Sequence, residues 1–279
     1  MALSIFTSGS SMASINALNK SNSMLSTAME RLGTGKRINS AADDAAGLQI
    51  ATRLQGQSNG MAVAQRNIAD ATAMLQTAEG AFDEVNNIMY RMKDLATQAA
   101  NDTNNADDRI AISAELTELN KELSNIMGKT TYGGEALLTG GKLAADMSFQ
   151  IGASSGEAMT VSLGTTFNDT ATAITNIGSS LTVNDAATAQ TLMDNVEAGL
   201  KAVGTMRSAL GANINRLGHT AANLANMKDN TDLALGNIRD ADFAQEASTM
   251  TRNQMLAQTS MSMLKQSNSM SGMVMSLLG

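Results

Sequence analysis

The sequence contains no proline and no cysteine in 279 residues. At ordinary usage of about 5%, a chain of this length would hold roughly 14 prolines. A proline inside a helix costs about 3 kcal/mol, so the absence fits a chain dominated by long helices. The absence of cysteine excludes disulfides and thiolate chemistry and leaves the redox compartment open. Tryptophan is also absent, and five Phe and two Tyr are too few to build an aromatic core. No apolar run approaches the roughly 20 residues of a membrane span. The first cation is Lys20, and no compact apolar segment follows a basic start, so a secretory leader is not expected. If the protein leaves the cell, it takes a route that removes no N-terminal leader. The net charge of −7 argues against a nucleic-acid partner, which needs clustered Lys and Arg. The sole histidine, His219, has no second His or Cys to share a metal with. Neither a metal, a cofactor nor a convergent acid–base set is expected, and an enzyme is not.

What is present in quantity is helical periodicity. Met61, Ala64, Ile68, Ala71, Leu75, Ala78, Phe82, Val85, Met89, Met92, Ala96 and Ala99 are all apolar and follow one another in alternating steps of three and four. Such steps lie on one stripe of an α-helix. A helix over 61–99 is about 58 Å long at 1.5 Å per residue, and its stripe needs other long helices beside it. Ile112, Leu116, Leu119, Leu123 and Ile126 form a shorter stripe after the polar turn 101–108, which makes that helix an antiparallel neighbour. From Leu192 to Ile238 the pattern returns through Val196, Gly199, Val203, Met206, Leu210, Leu217, Leu224, Met227, Thr231 and Ala234. Asn213 and Thr220 interrupt that seam, where a polar residue can set register. A second stripe on the 61–99 helix, Glu84, Ile88, Arg91, Leu95 and Gln98, lies about 110° from the first and is half apolar, as expected of a face that meets another molecule.

Between these helices the texture changes. Gly133-Gly134 and Gly140-Gly141 mark turns. Met147, Phe149 and Ile151 alternate with polar residues, as do Met159, Val161 and Leu163, predicting a β-hairpin near 145–165 with one apolar face. Residues 164–188 are expected to be loop with some helix. Gly33 and Gly35 should end the first helix, and Gly56 and Gly60 should form a joint before the long one. Ser40 with Asp43 has the spacing of a capping box, and Asp43 and Asp44 are then expected in the first turn of a new helix. The Gly33-Gly35-Lys36 spacing does not match a phosphate loop.

The two ends resemble each other. Ile15, Leu18, Leu25, Met29 and Leu32 fit a three–four stripe, with Asn22 in the open slot, and Lys20 and Glu30 are the only charges in residues 1–30. Leu256, Met263, Met270 and Leu277 repeat at seven, flanked by Ala257, Met261 and Leu264, and Lys265 is the only charge after Arg252. Paired with each other, two such helices still leave much of each exposed, with little charge to oppose association. They should pack against copies of themselves, so the pattern points to a self-assembling structural protein. Met255, Met261, Met263, Met270, Met273 and Met275 are flexible side chains that would let these helices slide between alternative packings.

The segment Arg31-Leu32-Gly33-Thr34-Gly35-Lys36-Arg37-Ile38-Asn39-Ser40-Ala41-Ala42-Asp43-Asp44-Ala45-Ala46-Gly47-Leu48 closely resembles the N-terminal signature of bacterial flagellins. Gln65-Arg66-Asn67, Gln76 to Ala81 and Asp94 to Ala99 are similar to the family's next helix. Arg207 to Ala212, Asn237 to Glu246 and the ending Ser276-Leu277-Leu278-Gly279 are similar to its C-terminal half. The resemblance covers roughly 1–135 and 190–279. About 55 residues separate the two halves, so the chain resembles a short, core-only form without large variable middle domains.

The resemblance implies a mostly α fold: an elongated antiparallel helical bundle with coiled-coil terminal helices and the small hairpin. Residues 1–42 and 238–279 would form an inner core domain and 43–237 an outer one. It implies a structural subunit that polymerises into the extracellular flagellar filament for motility, exported unfolded through the flagellar type III system. A hook–filament junction protein is the alternative. Ile15, Leu18, Leu25, Met29, Leu32, Leu256, Met263, Met270 and Leu277 would drive polymerisation. Arg31, Arg37, Asp43, Asp44, Arg239, Asp240, Asp242 and Glu246 would make polar contacts in the spoke between domains and between subunits. An export chaperone would bind Leu256, Leu264, Leu277 and Leu278, and hook-associated and cap proteins would be further partners. The family's stretch recognised by Toll-like receptor five has the form Gln-Arg-x-Arg-Glu-Leu; here it reads Tyr90-Arg91-Met92-Lys93-Asp94-Leu95, with Glu115 on the next helix. Tyr90, Arg91, Leu95, Gln98 and Glu115 would form this receptor or inter-subunit face.

Overall fold

A computed structural model of the chain describes residues 9–278, apart from the side chains of 271, 272 and 274–278. Within it the fold is mostly α. The helices are α1 Gly9–Thr34, α2 Ala45–Ala99, α3 Ala106–Lys129, α4 Gly164–Gly178, α5 Ala186–Arg239 and α6 Phe243–Leu278. Two antiparallel strand pairs join them: β1 Thr131–Tyr132 with β2 Glu135–Ala136, and β3 Met147–Gln150 with β4 Ala158–Val161. The chain groups into two compact units, Ser58–Asp229 and Met1–Gln57 with Asn230–Gly279.

The Ser58–Asp229 unit holds one continuous hydrophobic core. All twelve positions of the stripe from Met61 to Ala99 are buried, none more than 3% exposed. Ile112, Leu116, Leu123 and Met127 of α3 join them, with Leu192, Val196, Val203, Met206, Leu210, Leu217 and Leu224 of α5. Polar pairs at the margin set the directions. Arg207 of α5 meets Glu79 at 2.6 Å and Asp83 at 2.9 Å, and Lys93 meets Glu197 at 3.1 Å. As numbers rise along α2 they fall along α5, so the two helices are antiparallel. Gly199 lets them approach: a Cβ there would lie 2.8 Å from Ile177 Cδ1 and 3.1 Å from Met89 Sδ.

Asn213 and Thr220 do not act as cross-seam register pins. Asn213 donates to the Ala209 carbonyl and Thr220 to the Arg216 carbonyl, both on their own helix. The α5 stripe also drifts after Leu224. Met227 and Ala234 are exposed and Leu235 is buried instead, because steps of three and four in strict alternation fall behind a 3.6-residue turn.

The turn between α2 and α3 is closed by a capping box that the sequence reading passes over as merely polar. Asn105 Oδ1 accepts the Asp108 N–H at 2.9 Å, and Asp108 Oδ2 accepts the Asn105 N–H at 3.0 Å. Arg109 then donates to the carbonyls of Ala99 and Asn101, covering the otherwise unpaired end of α2. The β3–β4 hairpin follows the predicted alternation, with Phe149 opposite Met159 and Met147 opposite Val161. Met159, Val161 and Leu163 are buried and Phe149 packs partly buried on the same core. Residues 164–178, expected as loop with some helix, are the regular helix α4, whose Phe167, Ile174 and Ile177 complete that core.

Gly56 and Gly60 do not form a joint. Helix α2 runs through both, since its hydrogen-bond ladder tolerates isolated glycines at a cost of about 1 kcal/mol each. Gly60 has a packing role: a Cβ there would sit 2.7 Å from the Ala153 Cβ in the hairpin loop, whereas one at Gly56 would meet nothing within 4 Å. Gly56→Ala should therefore stabilise the chain by about 0.5–1 kcal/mol, and Gly60→Val should destabilise it by about 1–3 kcal/mol as the loop is displaced. Denaturant unfolding followed by circular dichroism measures both.

Candidate assembly surface

Helices α1 and α6 lie antiparallel. Arg31 near the end of α1 pairs with Glu246 near the start of α6 at 3.1 Å. At the opposite end the hydroxyls of Ser10 and Ser11 lie 3.0 and 2.9 Å from that of Ser267. Burial identifies the rows that face each other. On α1 the inward row is Ser11, Ser14, Leu18, Ser21, Leu25, Ala28 and Leu32; on α6 it is Glu246, Met250, Asn253, Ala257, Ser260, Leu264 and Ser267. Only Ser21, Ala28, Asn253 and Ala257 in these rows are fully buried. The seam is thus made largely of small and polar side chains, and the Asn253 Nδ2 is buried in it with no hydrogen-bond partner among the described residues. Such a seam buries little apolar area and leaves a polar group uncompensated.

The residues expected to drive polymerisation divide between this seam and the outer faces of the two helices. Leu18, Leu25 and Leu32 do reach it, half-buried. Ile15 and Met29 do not: they are 42% and 52% exposed, as small residues at 14, 21 and 28 take the inward positions. On α6 the heptad-spaced Leu256, Met263 and Met270 are 48%, 61% and 57% exposed, whereas Leu264 lies half-buried on the inward row. A one-residue offset turns a side chain by about 100° around the helix, which is the physical reason for the difference. The side chains of Leu277 and Leu278 lie outside the described residues. Met12, Met24, Met255, Met261 and Met273 extend the exposed apolar surface of both helices.

The charged residues around the ends of these helices act mainly within the chain. Gly35, with φ of 69°, ends α1 in the left-handed region that glycine tolerates. Its carbonyl accepts the Ala241 N–H at 3.0 Å, the Arg37 N–H donates to the Arg239 carbonyl at 2.7 Å, and Lys36 and Asp240 thereby form a short antiparallel bridge. The Arg37 guanidinium donates to the Ile238 carbonyl and that of Arg239 to Gln55 Oε1. Asp242 Oδ1 caps α6 through the N–H groups of Ala244 and Gln245. Asp43 and Asp44 are not in the first helical turn as expected. Asp44 is the cap of α2, its Oδ1 accepting from Gly47 N–H at 2.8 Å. Asp43 lies before it in a turn, where Oδ2 accepts from the N–H groups of Ser40 and Asn39 and from the Ser40 hydroxyl. These donors, led by the Ser40 N–H, hold the Asp43 carboxyl below the usual carboxylate range.

On the separate α2–α3 face of the Ser58–Asp229 unit, Arg91 donates through Nε and Nη2 to Glu115 Oε1 at 3.0 and 2.7 Å. Tyr90 is 57% exposed beside them, and Gln98 is exposed. Leu95 is not on this outer face: it is 2% exposed and belongs to the core. Its place in a half-apolar stripe reflects packing within the unit. His219 is exposed, and the described residues contain no group of three or more side chains placed to hold a metal ion.

Because the folded-state pKa of Asp43 lies below its unfolded value, the turn's stabilising contribution is present above the ordinary carboxylate pKa of about 4 and fades as the pH falls through the depressed folded value. Asp43→Ala should lower the unfolding midpoint at neutral pH, and the gap to the unsubstituted chain should close progressively below about pH 4. Urea unfolding across a pH series reads out both.

Comparison with known proteins relates this geometry to a family. The model of the bacterial flagellin N-terminal helical region matches residues 5–142, and that of the C-terminal helical region matches 193–278. A flagellin of Halalkalibacterium halodurans is 40% identical over 254 residues, covering 90% of each chain. Flagellin B of Vibrio cholerae is 32% identical over an alignment of 378 positions that covers all of both chains. That alignment is longer than this chain's 279 residues, so the relative carries sequence this chain lacks. A solved Vibrio parahaemolyticus structure described as a flagellar hook-associated protein shares the fold at a TM-score of 0.59 and 16% identity, covering 71% of this chain and 100% of the other. The chain belongs to the bacterial flagellin family, the structural proteins of the flagellar filament, and is a short member of it.

Proposed function

We propose that this chain is the repeating subunit of a flagellar filament and that copies join through the outer faces of α1 and α6. One observation carries the reading: the seam between these helices buries small and polar residues, while Ile15, Met29, Leu256, Met263 and Met270 stay exposed. Exposed apolar rows on two helices with almost no charge are costly in water and become favourable when neighbouring copies cover them. Arg31, Arg37, Asp43, Asp44, Arg239, Asp240, Asp242 and Glu246 first hold the crossover and helix caps in place, and their exposed members then make polar contacts between copies.

Export unfolded through the flagellar type III system fits the same features. A terminal pair with so little buried apolar area is a small barrier to unfolding before secretion. The exposed Leu256 and half-buried Leu264 offer a hydrophobic face to an export chaperone while the subunit awaits export. Tyr90, the Arg91–Glu115 pair and Gln98 form the face presented to a neighbouring subunit, or to Toll-like receptor five once a subunit is free. Cap and hook-associated proteins meet the filament's ends. A hook–filament junction protein is the second reading, favoured by the shared fold with the hook-associated structure. The number of copies per filament separates the two.

Deleting residues 1–30 or 250–279 should abolish polymerisation, seen by electron microscopy and sedimentation, while circular dichroism still reports a folded 58–229 core. Unimpaired filament growth from both truncated chains would overturn the assembly reading. Separately, Arg91→Ala should leave the unfolding midpoint within about 0.5 kcal/mol of the parent, since exposed ion pairs contribute little to stability, while weakening filament packing or receptor activation in a reporter-cell assay.

A further inference from the structure

The 21 methionines are sorted by environment. In the Ser58–Asp229 unit, Met61, Met74, Met89, Met92, Met127, Met159 and Met206 are buried, none more than 5% exposed. On α1 and α6, Met12, Met24, Met29, Met255, Met261, Met263, Met270 and Met273 are all between 47% and 61% exposed, and Met250 is half-buried in the seam. In the same unit Met147 and Met193 are half-buried and Met227 is 41% exposed, so the deep burial belongs to the seven core methionines of that unit. Helix propensity does not make the contrast, since the whole exposed set and six of the seven buried methionines lie on helix, with Met159 on β4.

Oxidation of methionine depends on access to its sulfur. A peroxide reaches an exposed thioether directly: the sulfur lone pair attacks one peroxide oxygen, an S–O bond forms and the O–O bond breaks. With hydrogen peroxide the second oxygen leaves as water, so sulfur loses two electrons and the peroxide gains them. The product sulfoxide is a strong, polar hydrogen-bond acceptor where an apolar, flexible side chain stood. A sulfoxide at a solvent-facing position costs the free subunit little. The same group buried against a neighbouring helix, with no donor to meet it, carries the desolvation penalty of an unpaired polar group.

We infer that the exposed methionines of α1 and α6 are a set of peroxide-modification sites whose oxidation blocks self-association of the free subunit without unfolding its Ser58–Asp229 core. The inference rests on the reading that copies join through α1 and α6. It makes assembly competence sensitive to oxidant in the interval between synthesis and incorporation. Once neighbours cover these faces, the sulfurs are shielded. Enzymatic reduction of the sulfoxides by a thiol-dependent reductase returns the thioether, with release of water and formation of a disulfide on the reductant.

The full-length monomer is treated with graded hydrogen peroxide, and each methionine is quantified by peptide mass spectrometry alongside circular dichroism and the critical concentration for polymerisation. The eight exposed methionines should oxidise at least about tenfold faster than the seven buried ones, helicity should be kept, and the critical concentration should rise at least about tenfold. Treatment with methionine sulfoxide reductases should restore it, and preformed filaments should oxidise slowly at the same sites. A variant with Met12, Met24, Met29, Met255, Met261, Met263, Met270 and Met273 all changed to Leu should polymerise and resist peroxide; the reductase rescue supplies the same test in the natural sequence if that variant misfolds. Unchanged polymerisation after the exposed set is oxidised, or loss that tracks the buried set instead, overturns the inference. If truncated chains fail to polymerise while oxidised full-length chains assemble normally, the oxidation inference alone falls. If truncation leaves polymerisation intact, the assembly reading falls and takes the inference with it.

Discussion

The apolar surface of a long amphipathic helix is a line, and only another line of similar length can bury it. Everything regular in this chain answers that constraint. The stripe of α2 from Met61 to Ala99 is closed by α3 on one stretch, by α5 along its length, and by α4 and the β3–β4 hairpin where the helices leave room. Interaction at small residues sets how closely they come: Gly199 admits Ile177 and Met89, and Gly60 admits Ala153. Ion pairs such as Arg207 with Glu79 and Asp83 lie at the margin. They align the helices more than they hold them, because partly exposed pairs contribute at most about 1 kcal/mol each.

The terminal helices face the same constraint and leave it only partly met within one chain. Their mutual seam is fully buried only at serine, alanine and asparagine, with Leu18, Leu25, Leu32, Met250 and Leu264 half-buried in the same rows. Small residues allow close approach but supply little apolar area. The larger side chains point elsewhere, and that surplus is the physical basis of the assembly proposal. Burial here is divided by unit: deep in Ser58–Asp229, and shallow in a terminal pair whose larger apolar side chains stay exposed within one chain.

The polar residues near the helix ends resolve a different problem, the unpaired backbone groups of each helix terminus. Asp44 caps α2, Asn105 and Asp108 cap α3, and Asp242 caps α6. The bridge at Lys36 and Asp240 ties the segment after α1 to the segment before α6. The family signature around 31–48 and 237–246 is therefore first a set of local structural devices, which explains why so many charged residues there meet partners in their own chain.

Much of this was legible in the sequence because helical period is a local property. The stripe at 61–99, the shorter one at 112–126, the break at Gly35 (though not at Gly33, which lies within α1), and the alternation at 147–151 and 159–163 all follow from short-range geometry. Tertiary structure alone decided which of two adjacent rows on α1 and α6 faces inward. Neighbouring rows differ by about 100°, both carry apolar residues, and the choice depends on how closely the partner helix approaches, which favours Ser21 and Ala28 over Asn22 and Met29. It also decided that Gly60 is a contact and not a joint, that Leu95 is core and not surface, and that Arg91 meets Glu115 across two helices. Sequence determined the helices and the family; the depth of each side chain, and with it the division of methionines into buried and exposed, came only from packing at long range.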